Sequence, residues 1–397
     1  QHLLGRRQRQ MCIRDSRDPG LTEKGDIRSE SLAAVFSGVT STFDMPNVDP
    51  NTTTIDLLNE RNLLGANKSW TNYSYYFGAT ETNLEEIKKL NPKETCGLKV
   101  FMGTSTGTLL VEDDFALEQI FQFCPVTIVT HCEDNETIKN NSDKVNSQIQ
   151  TLDASFHPII RDDLCCYKSS SKVIDLAKKY SSDLHVLHLT TEKEIKLFEN
   201  IDLKNKKITC EVCVHHLWFD ESDYEKLGNF IVCNPAIKKV SDRNALRKAL
   251  KDGFIDYVAT DHAPHSYDDK KLPYGKAPAG IPLIEHSFHM MIELHKEGYY
   301  SLEEVISYMS HKVADRFSIQ DRGYVREGYK ADLMMFDLDK TTPVTNDTEK
   351  TKCGWTPFDG HTFSSTVLGT IINGKPIVVD GKLTGDSSSA EQILFNR

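Results

Sequence analysis

The chain predicts an α/β fold: a (β/α)8 barrel of the TIM type with a small β domain appended. Three observations carry this expectation. Short apolar, β-branched or aromatic runs alternate with helix-length amphipathic segments, which implies parallel strands joined by right-handed crossovers. After Phe317 the texture changes to short strand-like runs punctuated by glycine. Between these regimes, polar residues able to bind a metal or a substrate collect at the C-terminal ends of the runs, the rim where an α/β barrel does its chemistry.

In order, the strands expected are Val39–Met45, Tyr73–Gly78, Gly97–Phe101, Val126–Thr130, Leu184–Leu189, Ile208–Cys213 and Ile255–Thr260. Helical patterns lie between and after them at Ile55–Leu64, Leu84–Leu90, Ser171–Tyr180, Glu192–Glu199, Asn244–Lys251 and Leu302–Phe317. Capping boxes are read at Thr82…Glu85, Thr191…Glu194 and Ser301…Glu304. Seven strands are visible, and an eighth is needed ahead of Ser29 to close the barrel. Residues 1–16 occupy that place, are locally basic and fit no later pattern, so they are read as an atypical start foreign to the rest. The barrel is assigned to residues 17–318 and the small β domain to 319–397, with strands at Asp332–Asp337, Val367–Ile372 and Pro376–Val379. Asn373-Gly374 and Asp380-Gly381 are its hairpin signals.

A length of 397 residues suits one large domain and a smaller one. With 39% hydrophobic and 26% charged residues the composition is that of ordinary globular material. A net charge of −11 without a basic block argues against a nucleic-acid surface but leaves a small anionic substrate open. No run approaches the roughly 18 apolar residues of a membrane helix, and no secretory signal is read. Ten scattered cysteines, including adjacent Cys165-Cys166, do not form a disulfide framework, so a reducing, cytoplasmic setting is expected. Cys210 and Cys213 form a CxxC within a strand, where residues three apart face opposite sides, and are read as core. Nothing here sets the oligomeric state, and a homo-oligomer is left open.

The richest strand end is Asp256-Tyr-Val-Ala-Thr-Asp261-His262-Ala-Pro-His265, with one carboxylate and two imidazoles. Other strand ends share the theme. Lys99, flanked by Leu98, Val100 and Phe101, is hard to bury charged; it is either a snorkelling or paired lysine or a functional one. His131 ends Val126-Thr-Ile-Val-Thr-His131. His185 and His188 differ in strand parity, so at most one of them faces the rim. A carboxylate and imidazoles from different strands at one rim make a hydrolytic metal site, in which Asp261 could accept a water proton and return it to a leaving nitrogen. Gly103-Thr-Ser-Thr-Gly107 lacks the Gly-Lys-Ser/Thr of a phosphate loop and is read as a βα connection. His286, His289 and His295 on the helix Ile284–Lys296 are read as structural.

From Arg17 to the C-terminus the chain resembles the dihydroorotases of the amidohydrolase superfamily. The motifs that carry the resemblance are Arg17-Asp-Pro-Gly-Leu-Thr, Met45-Pro-Asn47, Gly97-Leu-Lys-Val-Phe-Met, Thr130-His131-Cys-Glu, Leu187-His188-Leu-Thr-Thr, Asp261-His-Ala-Pro-His265 and Gly328-Tyr-Lys-Ala-Asp-Leu. The resemblance implies two Zn2+ per chain, with Lys99 as a carbamylated bridge, His131 and His188 on the second metal, and Asp261 as both ligand and general base. Arg17, Asn47 and His265 would hold the substrate carboxylate, a task that suits a guanidinium fork. Asn234, in Cys233-Asn-Pro-Ala-Ile-Lys238, would orient the ring, although the family's Asn-Pro-Pro-x-Arg is kept only in part. A pair like His215-His216 follows the family's seventh strand without ligating those metals.

One departure stands out. The family's first strand carries His-x-His just before the arginine of Arg-Asp-Pro-Gly, and here those positions are Ile13 and Asp15. The first metal site is therefore expected to be incomplete, and a start that carried the histidines is expected to have been lost, together with its contribution to the small β domain. The implied activity is reversible hydrolysis of dihydroorotate to N-carbamoyl-L-aspartate in pyrimidine biosynthesis. The alternatives are a sister cyclic amidase acting on hydantoins or allantoin, and a catalytically inactive homologue serving as a scaffold. Arg17 and Asn47 favour the first, because a substrate carboxylate needs a positive partner.

Overall fold

The computed structural model describes residues 10–14, 16–103 and 109–397, the first five by backbone only. Parallel strands follow one another around a barrel: β1 (Gln10–Arg14), β2 (Val39–Asp44), β3 (Asn72–Tyr75), β4 (Phe77–Gly78), β5 (Leu98–Phe101), β6 (Ile128–His131), β7 (Leu184–Val186), β8 (Ile208–Cys213) and β9 (Tyr257–Ala259). One hydrogen-bonded set runs β1-β2-β3 and another β4-β5-β6-β7-β8-β9. β3 passes through Tyr76 into β4, so the two make one barrel position, and β9 lies beside β1 to close a ring of eight. The place expected for the missing eighth strand is filled by Gln10–Arg14, where Ile13 pairs with Phe43. Asp15 lies outside the described residues, as do the residues between Gly103 and Leu109.

Strand alternation sorts the core into two layers. Leu98, Val100, Ile128, Leu184, Val186, Cys210, Val212 and Val258 face the surrounding helices. Phe43, Val129, Leu187, Cys213, Tyr257 and Ala259 fill the barrel interior, and Phe317 and Phe395 join them there. Cys210 and Cys213 thus belong to opposite layers, as parity requires. The nine cysteines whose side chains are described are free. Lys99 and His131 share the parity of the interior residues, which aims both up the barrel axis.

Helix caps and limits follow local chemistry. Ser301 and Glu304 form a capping box, and Thr191 accepts from the Glu194 amide. The box expected at Thr82…Glu85 does not form. The helix there is one turn, Leu84–Ile87, because Asn83 spends its side chain on Thr80 N, Thr53 O and Gly78 O, stitching two rim loops together. The expected helix Leu302–Phe317 is interrupted by a wide turn at Ser307–His311. Beyond it, β10 (Leu333–Asp337), β13 (Thr366–Ile372), β14 (Lys375–Val379) and β15 (Lys382–Leu383) form an antiparallel sheet, and β11 (Thr342–Pro343) pairs with β12 (Thr362–Phe363). Both predicted hairpins turn on two residues with positive φ, 49° and 84° at Asn373-Gly374 and 48° and 70° at Asp380-Gly381. That backbone pair matches the right-handed twist of the strands. No helix among the described residues is long and apolar enough to cross a membrane.

Candidate active site

At the C-terminal rim of the barrel lies a cavity of about 340 Å³. All eight residues singled out from the sequence line it: Arg17, Asn47, Lys99, His131, His188, Asn234, Asp261 and His265. Lys24, Phe101, Cys233 and the stretch Pro278-Ala279-Gly280 complete much of the wall.

Lys99 is 2% exposed, and its Nζ lies 4.5 Å from the centroid of the Phe101 ring. His131 closes β6 with its Nδ1 3.0 Å from Nε2 of His188. The other nitrogen, Nε2, donates to Glu133 at 2.9 Å, and Glu133 is clamped in turn by Arg161. Burial alone would raise the Glu133 carboxyl, but Arg161 and His131 outweigh it and hold the group down at about 2. An ionised Glu133 fixes the proton of His131 on Nε2 and leaves Nδ1 as a lone pair directed into the cavity. Burial lowers both imidazoles: His131 is depressed despite Glu133, and His188 falls well below the usual range, further discouraged by His131 and Lys99. Two neutral imidazoles converging through nitrogens 3.0 Å apart, beside an inward lysine and a carboxylate, fit a divalent cation.

Backbone conformation matters as much as strand parity here. His188 lies two residues beyond β7 with φ 39°, Asp261 two residues beyond β9 with φ 45°, and Arg17 three beyond β1 with φ 22°. Positive φ is costly for residues with a Cβ and clusters where function demands a direction the strand does not supply. His185 keeps strand geometry and points into the barrel interior, bonded to Thr209 at 2.8 Å and to the Tyr257 hydroxyl at 2.7 Å. His262 turns away from the cavity. Its Nε2 donates to Glu30 at 2.7 Å while Nδ1 accepts from Leu283 N at 3.0 Å, which pins the segment that carries Asp261.

The substrate side is built on loops with buried supports. Ser16 donates its backbone N–H to Asp44 at 3.0 Å, directly before Arg17. Arg61 reaches from the following helix to Met45 O at 2.6 Å, holding the segment that bears Asn47. His157 links Nε2 to Cys233 O at 2.9 Å and to Asn234 Oδ1 at 3.1 Å, while the Tyr274 hydroxyl lies 3.0 Å from Nδ1. His265 donates Nε2–H to Ala279 O at 3.0 Å, so its Nδ1 is an acceptor. Burial, with Arg17 beside it, pushes this imidazole down to about 3. Gly280, at φ 146°, permits the contact: a Cβ there would sit 2.5 Å from Ala263 O. Sequence reading missed Lys24, Glu133, His157 and Arg161. Glu133 and Lys24 do lie inside quoted or adjoining motif stretches, whereas His157 and Arg161 sit in a segment with no periodic signal.

Comparison with known proteins places this architecture. The sequence model of the amidohydrolase family matches residues 4–377. A dihydroorotase of Methanothermobacter thermautotrophicus is 28% identical over 370 residues, covering 92% of this chain and 82% of its own length. One of Ligilactobacillus salivarius is 31% identical over 366 residues, with coverages of 91% and 84%. Among solved structures, an L-hydantoinase (dihydropyrimidinase) from Arthrobacter aurescens superposes with a TM-score of 0.90 at 23% identity, over 97% of this chain and 88% of that one. At that identity the likeness is one of fold.

Proposed function

The chain belongs to the amidohydrolase family, and from that premise we propose that it is a metal-dependent dihydroorotase, opening and closing the cyclic amide of dihydroorotate. One observation carries the reading: metal-type donors line one side of a single cavity, and a guanidinium, amides and an imidazole line the other. Lys99, as its carbamate, His131 through Nδ1, His188 through Nε2 and Asp261 are the residues that would hold zinc. Such an ion, when bound, lowers the pKa of a water to about 7 and polarises the amide carbonyl. Asp261 takes the proton of the attacking water and delivers it to the departing ring nitrogen. Arg17 pairs with the ring carboxylate through its fork of N–H donors, and Asn47 donates beside it. Lys24 adds positive charge near Arg17, since both act on His265. His265 offers an acceptor to the cavity, so in its neutral form it takes a substrate N–H beside the carboxylate rather than the carboxylate itself. Asn234, held by His157, orients the ring.

With Ile13 and Asp15 in place of the two histidines, the first metal position has fewer ligands than the second. The test is metal content by elemental analysis alongside dihydroorotate hydrolysis, on this chain and on one with Ile13→His and Asp15→His together. A further equivalent of metal and a large gain in turnover in the double variant support the reading. Turnover of an uncharged hydantoin in preference to dihydroorotate would move it to a sister cyclic amidase. Absence of metal and turnover from both versions would favour an inactive scaffold.

A further inference from the structure

A second group of metal-ligating side chains lies behind the cavity, separate from the donors described above. Cys213 ends β8 facing the barrel interior, and Val214–Trp218 begins a short helix carrying His215 and His216. One ligand atom from each of Cys213, His215 and His216 falls within 4.8 Å of the others, and all three residues are buried. The imidazole rings are 4.0 Å apart between centroids. His216 uses Nε2–H on Pro235 O at 3.1 Å, so its Nδ1 carries a lone pair, and that atom is buried without a hydrogen-bond partner. His215 is 1% exposed, and neither of its nitrogens has a partner. Buried polar atoms are almost always satisfied, and clustered exceptions point to a bound ion or water. An imidazole whose far N–H is held by a backbone carbonyl is the usual arrangement of a metal-bound histidine.

We propose that Cys213 Sγ, His216 Nδ1 and one nitrogen of His215 form a binding site for a borderline-soft divalent cation of the zinc class. Sulfur with two neutral nitrogens is a donor set suited to such an ion, and three protein ligands leave a fourth position open. Bonds of roughly 2.0–2.3 Å place tetrahedral donors about 3.5 Å apart, so binding would draw together three donors that now lie within 4.8 Å of one another. Binding exchanges the thiol proton of Cys213 for the cation and releases that proton to solvent. Burial already keeps the His215 imidazole neutral, down at about 3. Cys233 lines the cavity, and its Sγ is 3.9 Å from His216 Nε2, so the group lies one side chain behind the cavity wall.

Cobalt(II) titration of the metal-free full-length chain tests this. The donors proposed for the cavity are nitrogen and oxygen only, so a sulfur-to-cobalt charge-transfer band in the near ultraviolet reports thiolate ligation. The titration is run in a parent that carries both Cys165→Ser and Cys166→Ser, which silence the other buried cysteine group, the one beside Glu133. The band should appear in the parent chain, survive His131→Ala and Cys233→Ser, disappear in Cys213→Ser, and weaken at least tenfold in apparent affinity in His215→Phe. Absence of the band from the parent overturns the site, whatever the variants do. Survival of the band in a Cys213→Ser chain that keeps the parent's circular dichroism overturns it equally.

Discussion

The two walls of the cavity are built differently. Lys99, His131 and His188 come from β5, β6 and the turn just past β7, so they stand on or within two residues of hydrogen-bonded strands. Arg17 and Asn47 each lie three residues beyond their strands, on loops buttressed by Asp44 and Arg61. Metal ligation tolerates little error in the direction of a lone pair, and the strand wall supplies that with a second layer, Glu133 and Arg161, behind His131. Recognition of a carboxylate needs a charge and a fork within reach, which a long side chain on a supported loop provides. The contrast shows where rigidity is concentrated and where the chain leaves room for a substrate to enter.

The largest expected effect sits where the walls meet. Asp261→Asn keeps the shape of the side chain and removes the base, so kcat for dihydroorotate should fall about 10²–10⁴-fold while the metal held by His131 and His188 is retained. Activity within tenfold of the parent would remove Asp261 from its role. On the loop wall, Arg17→Ala should raise KM for dihydroorotate by about 100-fold, the scale of one charged hydrogen-bonded contact. An uncharged hydantoin should be nearly indifferent, and equal losses on both substrates would sink the assignment. On the strand wall, Glu133→Gln should weaken divalent metal affinity roughly 10–100-fold, read by competition with a chelating dye, because the tautomer of His131 is no longer enforced. Unchanged affinity would mean that the second layer adds no rigidity, and the contrast between the walls would collapse.

The smallest effect belongs to neither wall, and it provides a control. Glu285 and Glu349, where the small β domain meets the helix Ser287–Lys296, are both raised to about 8, chiefly by burial. Glu349 sits 3.1 Å from Nε2 of His286, a ring that burial lowers to about 4. A carboxyl raised in the folded state binds protons that the unfolded chain has given up. Its stabilisation is therefore complete below the ordinary carboxylate pKa of 4.5 and is lost as pH rises through about 8. Thermal unfolding should thus drop by a few degrees between roughly pH 6 and pH 9, and Glu349→Gln should flatten that slope. A slope unchanged in the variant would place the pH response elsewhere in the molecule.

Much of this was legible in one dimension. The strand–helix alternation, the interior parity of Lys99 and His131, the opposite layers of Cys210 and Cys213 and both two-residue hairpins follow from periods of 2 and 3.6 and from the φ preferences of Asn-Gly and Asp-Gly. Motif order brought eight residues onto one list, and the fold brings the same eight around one cavity. What periodicity could not supply was direction. By parity His185 belongs to the interior of β7 and His188 to the outside; the left-handed backbone at His188 reverses that, and only the packed rim supports such a conformation. The supports were equally hidden. Glu133, Arg161 and His157 are ordinary polar residues in sequence, and they become determinants of tautomer and orientation once chain segments up to 77 residues apart meet in a buried space. Local chemistry wrote the elements and the candidate groups; desolvation and long-range contact decided which nitrogen, and which of two histidines, faces the cavity.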